Sequence, residues 1–218
     1  HVPGEIAFAA RSGRHVYENA GLSCSTLPAG RSPACMALSP HFTPKGETFM
    51  HLRLAQPDDL PELSRIYAAS WKHAYRGMMP QAYLDRLPED FWVPSFSQRL
   101  EQGIYTITVA EQQNTLCGGV IYGPSREEAL EDWGEICSIY VLPSHMGQGT
   151  GHLLLEYALL KMQRIGVENV FLWVLEQNQH ARRFYERHGF SFEGERGQLV
   201  IEGVPLTELR YLRALPLA

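Results

Sequence analysis

The sequence predicts an α/β or α+β domain built around a mixed sheet. Three observations carry that expectation. β-rich runs such as T-I-T-V-A-E (106–111) and L-C-G-G-V-I-Y-G (116–123) interleave with segments of helical period. The run from Asn169 to Leu175 is almost wholly apolar, as expected of a strand covered on both faces. A glycine-rich stretch, V-L-P-S-H-M-G-Q-G-T-G-H-L-L-L (141–155), joins a strand to a helix.

The elements follow in order. From Met50, M-H-L-R-L-A-Q-P-D-D-L-P-E-L reads as a strand, a turn and an N-capped helix over 59–75, with Pro61 near its first turn. After Arg76 and Gly77 comes a short helix at 80–87, then a loop. The runs 106–111 and 116–123 pair as a hairpin across Q-Q-N-T. An acidic loop, 125–132, leads to the strand G-E-I-C-S-I-Y-V-L-P. Beyond the glycines, Leu155, Leu159 and Met162, with Leu154, Ala158 and Ile165, recur at helical spacing until Gly166 stops the helix. Asn178 caps a further helix that Gly189 closes, and the last strands lie near 190–195 and 208–215.

Residues 1–49 are rich in Gly, Ser, Pro and Ala and hold no sustained period. They read as an N-terminal extension, poorly ordered or outside the domain, which occupies 50–218 with Met50 as its candidate start. The 218 residues, 44% hydrophobic, suffice for one ordinary core. A net charge of -5 with no Lys/Arg block argues against a nucleic-acid partner. No apolar run approaches the roughly 20 residues of a membrane span, and no secretory signal pattern is visible. Four cysteines without a C-x-x-C pair point to a reducing, cytoplasmic setting. Nine histidines without H-E-x-x-H spacing predict no metal.

A strand feeding a glycine-rich turn that opens a helix presents unpaired N–H groups and the positive end of a helix dipole, the natural place for a phosphate. A Walker loop needs Lys-Ser or Lys-Thr after its last glycine, and His152-Leu153 stands there instead. A dinucleotide fingerprint fits poorly, because Gly147, Gly149 and Gly151 are spaced two apart and lie late in the chain. A glycine turn without any ligand stays open on the glycines alone.

The run V-L-P-x-x-x-G-x-G-x-G-x-L-L resembles the acyl-CoA pyrophosphate loop of the GNAT superfamily of N-acyltransferases. Downstream, N-x-x-A-x-x-F-Y-x-x-x-G-F (Asn178, Ala181, Phe184, Tyr185, Gly189, Phe190) is similar to that family's second signature. The family usually has Arg or Gln before the first glycine, where this chain has Met146.

The resemblance implies a sheet of about seven strands with splayed fourth and fifth strands, flanked by about four helices. It also implies acetyl-CoA as co-substrate, with Ile139, Tyr140 and Val141 along the pantetheine in a β-augmentation geometry. Met146, Gly147, Gln148, Gly149, Thr150, Gly151 and His152 would surround the pyrophosphate. Asn178, Ala181 and Tyr185 would face the cofactor from the next helix.

By the same resemblance Tyr185 is the general acid toward the departing thiolate, with a packed amphipathic tyrosine as the plain alternative. Glu135 is the candidate base, Glu131 and Asp132 are held in reserve, and a solvated strand-end glutamate is the alternative. Trp71, Tyr75 and Arg76, in W-K-H-A-Y-R-G, would wall the groove for an amine-bearing substrate or else serve the core and a turn. Cys137 is no acyl carrier, because no histidine stands at diagnostic spacing. The implied reaction is direct acetyl transfer to a primary amine of a small molecule, peptide or protein. The alternative is a non-catalytic acyl-CoA-binding or regulatory module. A homodimer is common among such proteins.

Overall fold

The computed structural model describes residues 50–216, so the expectation for 1–49 lies outside the described residues. The elements are β1 (His51–Leu54), α1 (Leu60–Ala74), α2 (Gln81–Arg86), α3 (Val93–Gln102), β2 (Thr106–Gln112), β3 (Thr115–Pro124), β4 (Gly134–Val141), α4 (Thr150–Arg164), β5 (Asn169–Leu175), α5 (Gln179–Arg187), β6 (Ser191–Ile201) and β7 (Val204–Ala214). They form a seven-stranded mixed sheet in the order β1-β2-β3-β4-β5-β7-β6. Every neighbouring pair is antiparallel except β4 with β5.

Alternation along the central strands divides the core between two faces. Ile107, Val109 and Ile121 pack with Leu63, Tyr67 and Phe96 of α1 and α3. Ala110, Val120 and Tyr122 pack with Leu154, Leu155 and Ala158 of α4. Where these layers come closest, β3 carries Gly118 and Gly119. A Cβ on Gly118 would meet the Tyr140 carbonyl oxygen at 2.8 Å and Leu154 Cδ1 at 3.2 Å, and one on Gly119 would meet Leu63 Cδ1 at 2.6 Å. The missing side chains let α4 and α1 close on opposite faces of adjacent residues.

Three elements exceed the sequence expectation. The loop before β2 contains α3, with Pro94 in its first turn and Gly103 ending it at φ 64°. The last two strands each extend to 11 residues around a turn at Glu202 and Gly203, whose φ values of 48° and 80° suit a tight hairpin. Gln113 and Asn114 turn the β2–β3 hairpin in the same way, at φ 51° and 61°.

Candidate active site

The site starts from a fault in the sheet. β4 and β5 pair only at Gly134–Val170 and Glu135–Phe171. One residue further, the β3 partners jump from Ser138 to Ile136 and leave Cys137 unmatched. Such a bulge bends its strand and increases the local twist, and β4 diverges from β5 from there onward. A cavity of about 1100 Å³ opens along the parting.

Strand geometry sets what β4 offers to this cavity. The Leu142 N–H donates to the Cys117 carbonyl at 2.7 Å. By alternation, Ile139 and Val141 therefore turn their backbone groups away from β3. Ser70 Oγ on α1 donates to the Val141 carbonyl at 2.9 Å. Ile139, Tyr140 and Val141 all line the cavity.

At one end stands the start of α4. Its N-cap is Gly149, at φ 87° and with no capping side chain, and Gly147 before it has φ 74°. Both torsions belong to the left-handed region that glycine adopts without strain. The first N–H groups of a helix lack intrahelical partners, so this end is rich in donors. Thr150 is 1% exposed, and its hydroxyl has no hydrogen-bond partner among the described residues. An uncapped helix end beside a bent strand with one open edge fits an anionic ligand with an amide-bearing arm. Met146, Gly147, Gly149, Gly151 and His152 line the cavity. Thr150 and Gln148 are not among its lining residues, and Gln148 Nε2 donates instead to the Ser144 carbonyl at 2.8 Å.

The opposite wall comes from α5. Asn178 caps it by accepting the Ala181 N–H at 3.1 Å, and Asn178, Ala181 and Tyr185 line the cavity. Tyr185 is 8% exposed, with its ring edge-on to Phe184 and Phe190. Burial pushes its phenol well above the usual range, and the nearby Tyr75 and Tyr67 act in the same direction. Tyr75 pairs hydroxyl to hydroxyl with Tyr140 at 2.9 Å, and burial pushes Tyr75 up to about 12. Tyr67 and the Ser138 hydroxyl are 3.0 Å apart.

Glu135 is 2% exposed and lines the cavity, but it is not solvated. Arg126 grips it with Nε at 2.9 Å from Oε2, with Nη2 on Oε1, and with its own N–H at 3.3 Å from Oε2. Glu131 and Asp132 are exposed and do not line the cavity. Burial pushes the Cys137 thiol up to about 12, so it stays protonated at neutral pH. Trp71 and Tyr75 wall the cavity from α1, whereas Arg76 is exposed and outside it.

The profile described as the acetyltransferase (GNAT) family matches residues 64–190. The chain belongs to the GNAT acetyltransferase family. Membership makes it an N-acetyltransferase with acetyl-CoA as co-substrate. This GNAT chain is 27% identical over 158 residues to the uncharacterized N-acetyltransferase YuaI of Bacillus subtilis, covering 72% of this chain and 89% of that one. It is 31% identical over 160 residues to the mycothiol acetyltransferase of Mycobacteroides abscessus, which covers 72% of this chain but 47% of the relative. In fold it is similar to the PaiA N-acetyltransferase of Thermoplasma acidophilum in complex with coenzyme A. The TM-score is 0.63 at 19% identity, over 77% of this chain and 99% of that one.

The GNAT sequence alone did not expose several lining residues. Arg126 sits in the acidic loop, and Glu208 reaches the cavity from β7. Glu127 anchors that loop by accepting from Trp173 Nε1 and Arg210 Nη1, both at 2.7 Å. None of these contacts leaves a spacing signal, because each joins elements far apart in sequence.

Proposed function

We propose that this protein transfers the acetyl group of acetyl-CoA directly to a primary amine in the gap between β4 and β5. The observation that carries the proposal is the parting of those strands at the Cys137 bulge, opposite the uncapped start of α4. Acetyl-CoA supplies the activated thioester. The N–H groups at Gly147–His152 hold its diphosphate with the aid of the helix dipole. The backbone of Ile139 and Val141 aligns the pantetheine arm as an added strand.

An amine with a lysine-like pKa of about 10.4 needs roughly 4.6 kcal/mol to be neutral at pH 7. Glu135 receives that proton through water, positioned by Arg126. Tyr185 keeps its own proton throughout the neutral range and donates it toward the departing sulfur. The carboxylates of Glu135 and Glu208 and the rings of Trp71 and Trp173 line the cavity, a lining suited to a cationic amine with an apolar body. The catalytic unit runs from residue 50 to residue 218, and the cysteines among the described residues, Cys117 and Cys137, are free, which suits a cytoplasmic place of action.

Titration calorimetry with acetyl-CoA, followed by thiol release with a panel of amines, tests the proposal. Expected are saturable binding and amine-dependent release. Binding without release for every amine, or equal stabilisation by ATP, would refute it.

A further inference from the structure

At the mouth of the cavity, α4 and α5 bring together three side chains that the acetyl-transfer scheme leaves unused as a group. His152 and Glu156 lie one turn apart on α4, and His188 is the C-cap of α5. One ligand atom from each lies within 4.8 Å of the others. We infer that His152, Glu156 and His188 form a binding site for a divalent transition metal of the zinc class.

The second observation is the orientation of His188. Its Nδ1 lies 2.7 Å from the Phe184 carbonyl, one of the acceptors that a helix end leaves without an intrahelical partner. A carbonyl only accepts, so Nδ1 carries the proton and Nε2 presents its lone pair. That Nε2 faces His152 Nδ1 at 2.8 Å. Metal-bound histidines characteristically donate their other ring N–H to a backbone carbonyl or carboxylate, and here that outer contact is already made. Glu156 is supported similarly: Arg213 Nη1 takes one carboxylate oxygen, at 3.2 Å, and a carboxylate has a second.

Without metal, the His152 Nδ1–H bridges to His188. With metal, the His152 proton stands on Nε2 and both facing nitrogens become ligands beside the Glu156 carboxylate. Ligand atoms about 2.1 Å from a tetrahedral ion stand about 3.4 Å apart, so the histidine nitrogens, 2.8 Å apart, open by about 0.6 Å and the carboxylate, within 4.8 Å, closes by at most about 1.4 Å. Imidazoles with one carboxylate suit Zn²⁺, Co²⁺ or Ni²⁺, whereas Mg²⁺ and Ca²⁺ favour oxygen ligands. The sequence conceals the site because its histidines stand on separate helices.

The experiment titrates ZnCl₂ into the chelator-treated full chain by calorimetry, with MgCl₂ as a parallel arm. A zinc heat that His188→Gln and Glu156→Gln each weaken by at least about tenfold is expected, with magnesium silent and the heat unchanged by His180→Gln, at an exposed residue in the first turn of α5 outside the cluster. Unchanged affinity in both cluster variants, or no heat at submillimolar zinc, overturns the inference. Should either variant fail to fold, anomalous diffraction at the zinc edge on the unaltered protein decides. A peak among the three side chains sustains the site, and a peak elsewhere or none removes it.

Discussion

Helices α4 and α5 both aim their N-termini at the cavity, but they begin differently. α4 starts at Gly149 with no capping side chain, whereas α5 starts at Asn178, whose carboxamide closes on the Ala181 N–H. The first arrangement leaves backbone donors for a ligand, and the second consumes one to hold the helix. On the proposed reaction α5 therefore acts through side chains, Tyr185 above all. The difference teaches that binding on the α4 side should resist side-chain replacement, while turnover on the α5 side should depend on it.

The sharpest break is Tyr185→Phe. It should lower kcat by about 100-fold or more, the scale of a lost general acid, while calorimetry shows the affinity for acetyl-CoA nearly unchanged. Gly149→Val attacks the other helix through its torsion rather than its chemistry. Forcing a side chain to φ 87° costs about 1–2 kcal/mol or more, so acetyl-CoA should bind at least about fivefold more weakly. Asn178→Ala removes the α5 cap at a cost of about 1 kcal/mol, read as a fall of about 2–4 °C in Tm. Met146→Arg should have the smallest effect, tightening acetyl-CoA binding by about 1 kcal/mol or less, because the proposed diphosphate contacts are backbone amides of α4.

A pH series separates the tyrosines from the helix ends. Burial raises Tyr67, Tyr75, Tyr140 and Tyr185 above the ordinary phenol value. The unfolded chain therefore releases these protons first, from about pH 10. Stability should be flat with respect to these groups below that point and fall as pH rises through it. Chemical denaturation between pH 8 and 11 measures the slope, and each Tyr→Phe replacement should reduce it.

Much of the site was legible in the sequence because its parts are local. The glycine torsions at 147 and 149, the Asn178 cap and the placement of Tyr185 two turns later on the same face each lie within one element. What stayed hidden depends on contacts between elements. The Arg126–Glu135 pair spans a loop and a strand, so Glu135 reads as a strand-end carboxylate until Arg126 is seen around it. Helix α3 stayed hidden because it is short and polar: Phe96 alone is buried along it, and Pro94, Ser95, Ser97 and Gln98 read as loop residues. The β6 edge strand kept its length hidden because Gly194 and Gly197 interrupt it, although Gly197, Leu199 and Ile201 are buried in alternation with exposed Gln198 and Val200.

The thinnest place in the sheet also decouples its two sides. Beyond the strand backbones beside them, Gly118 makes room for Leu154 of α4 and Gly119 for Leu63 of α1, so on the proposed reaction a methyl group at the first would press on the diphosphate end and at the second on the acceptor wall. Donor affinity and acceptor choice could thus be tuned from neighbouring residues of a single strand, neither of which touches a reactant.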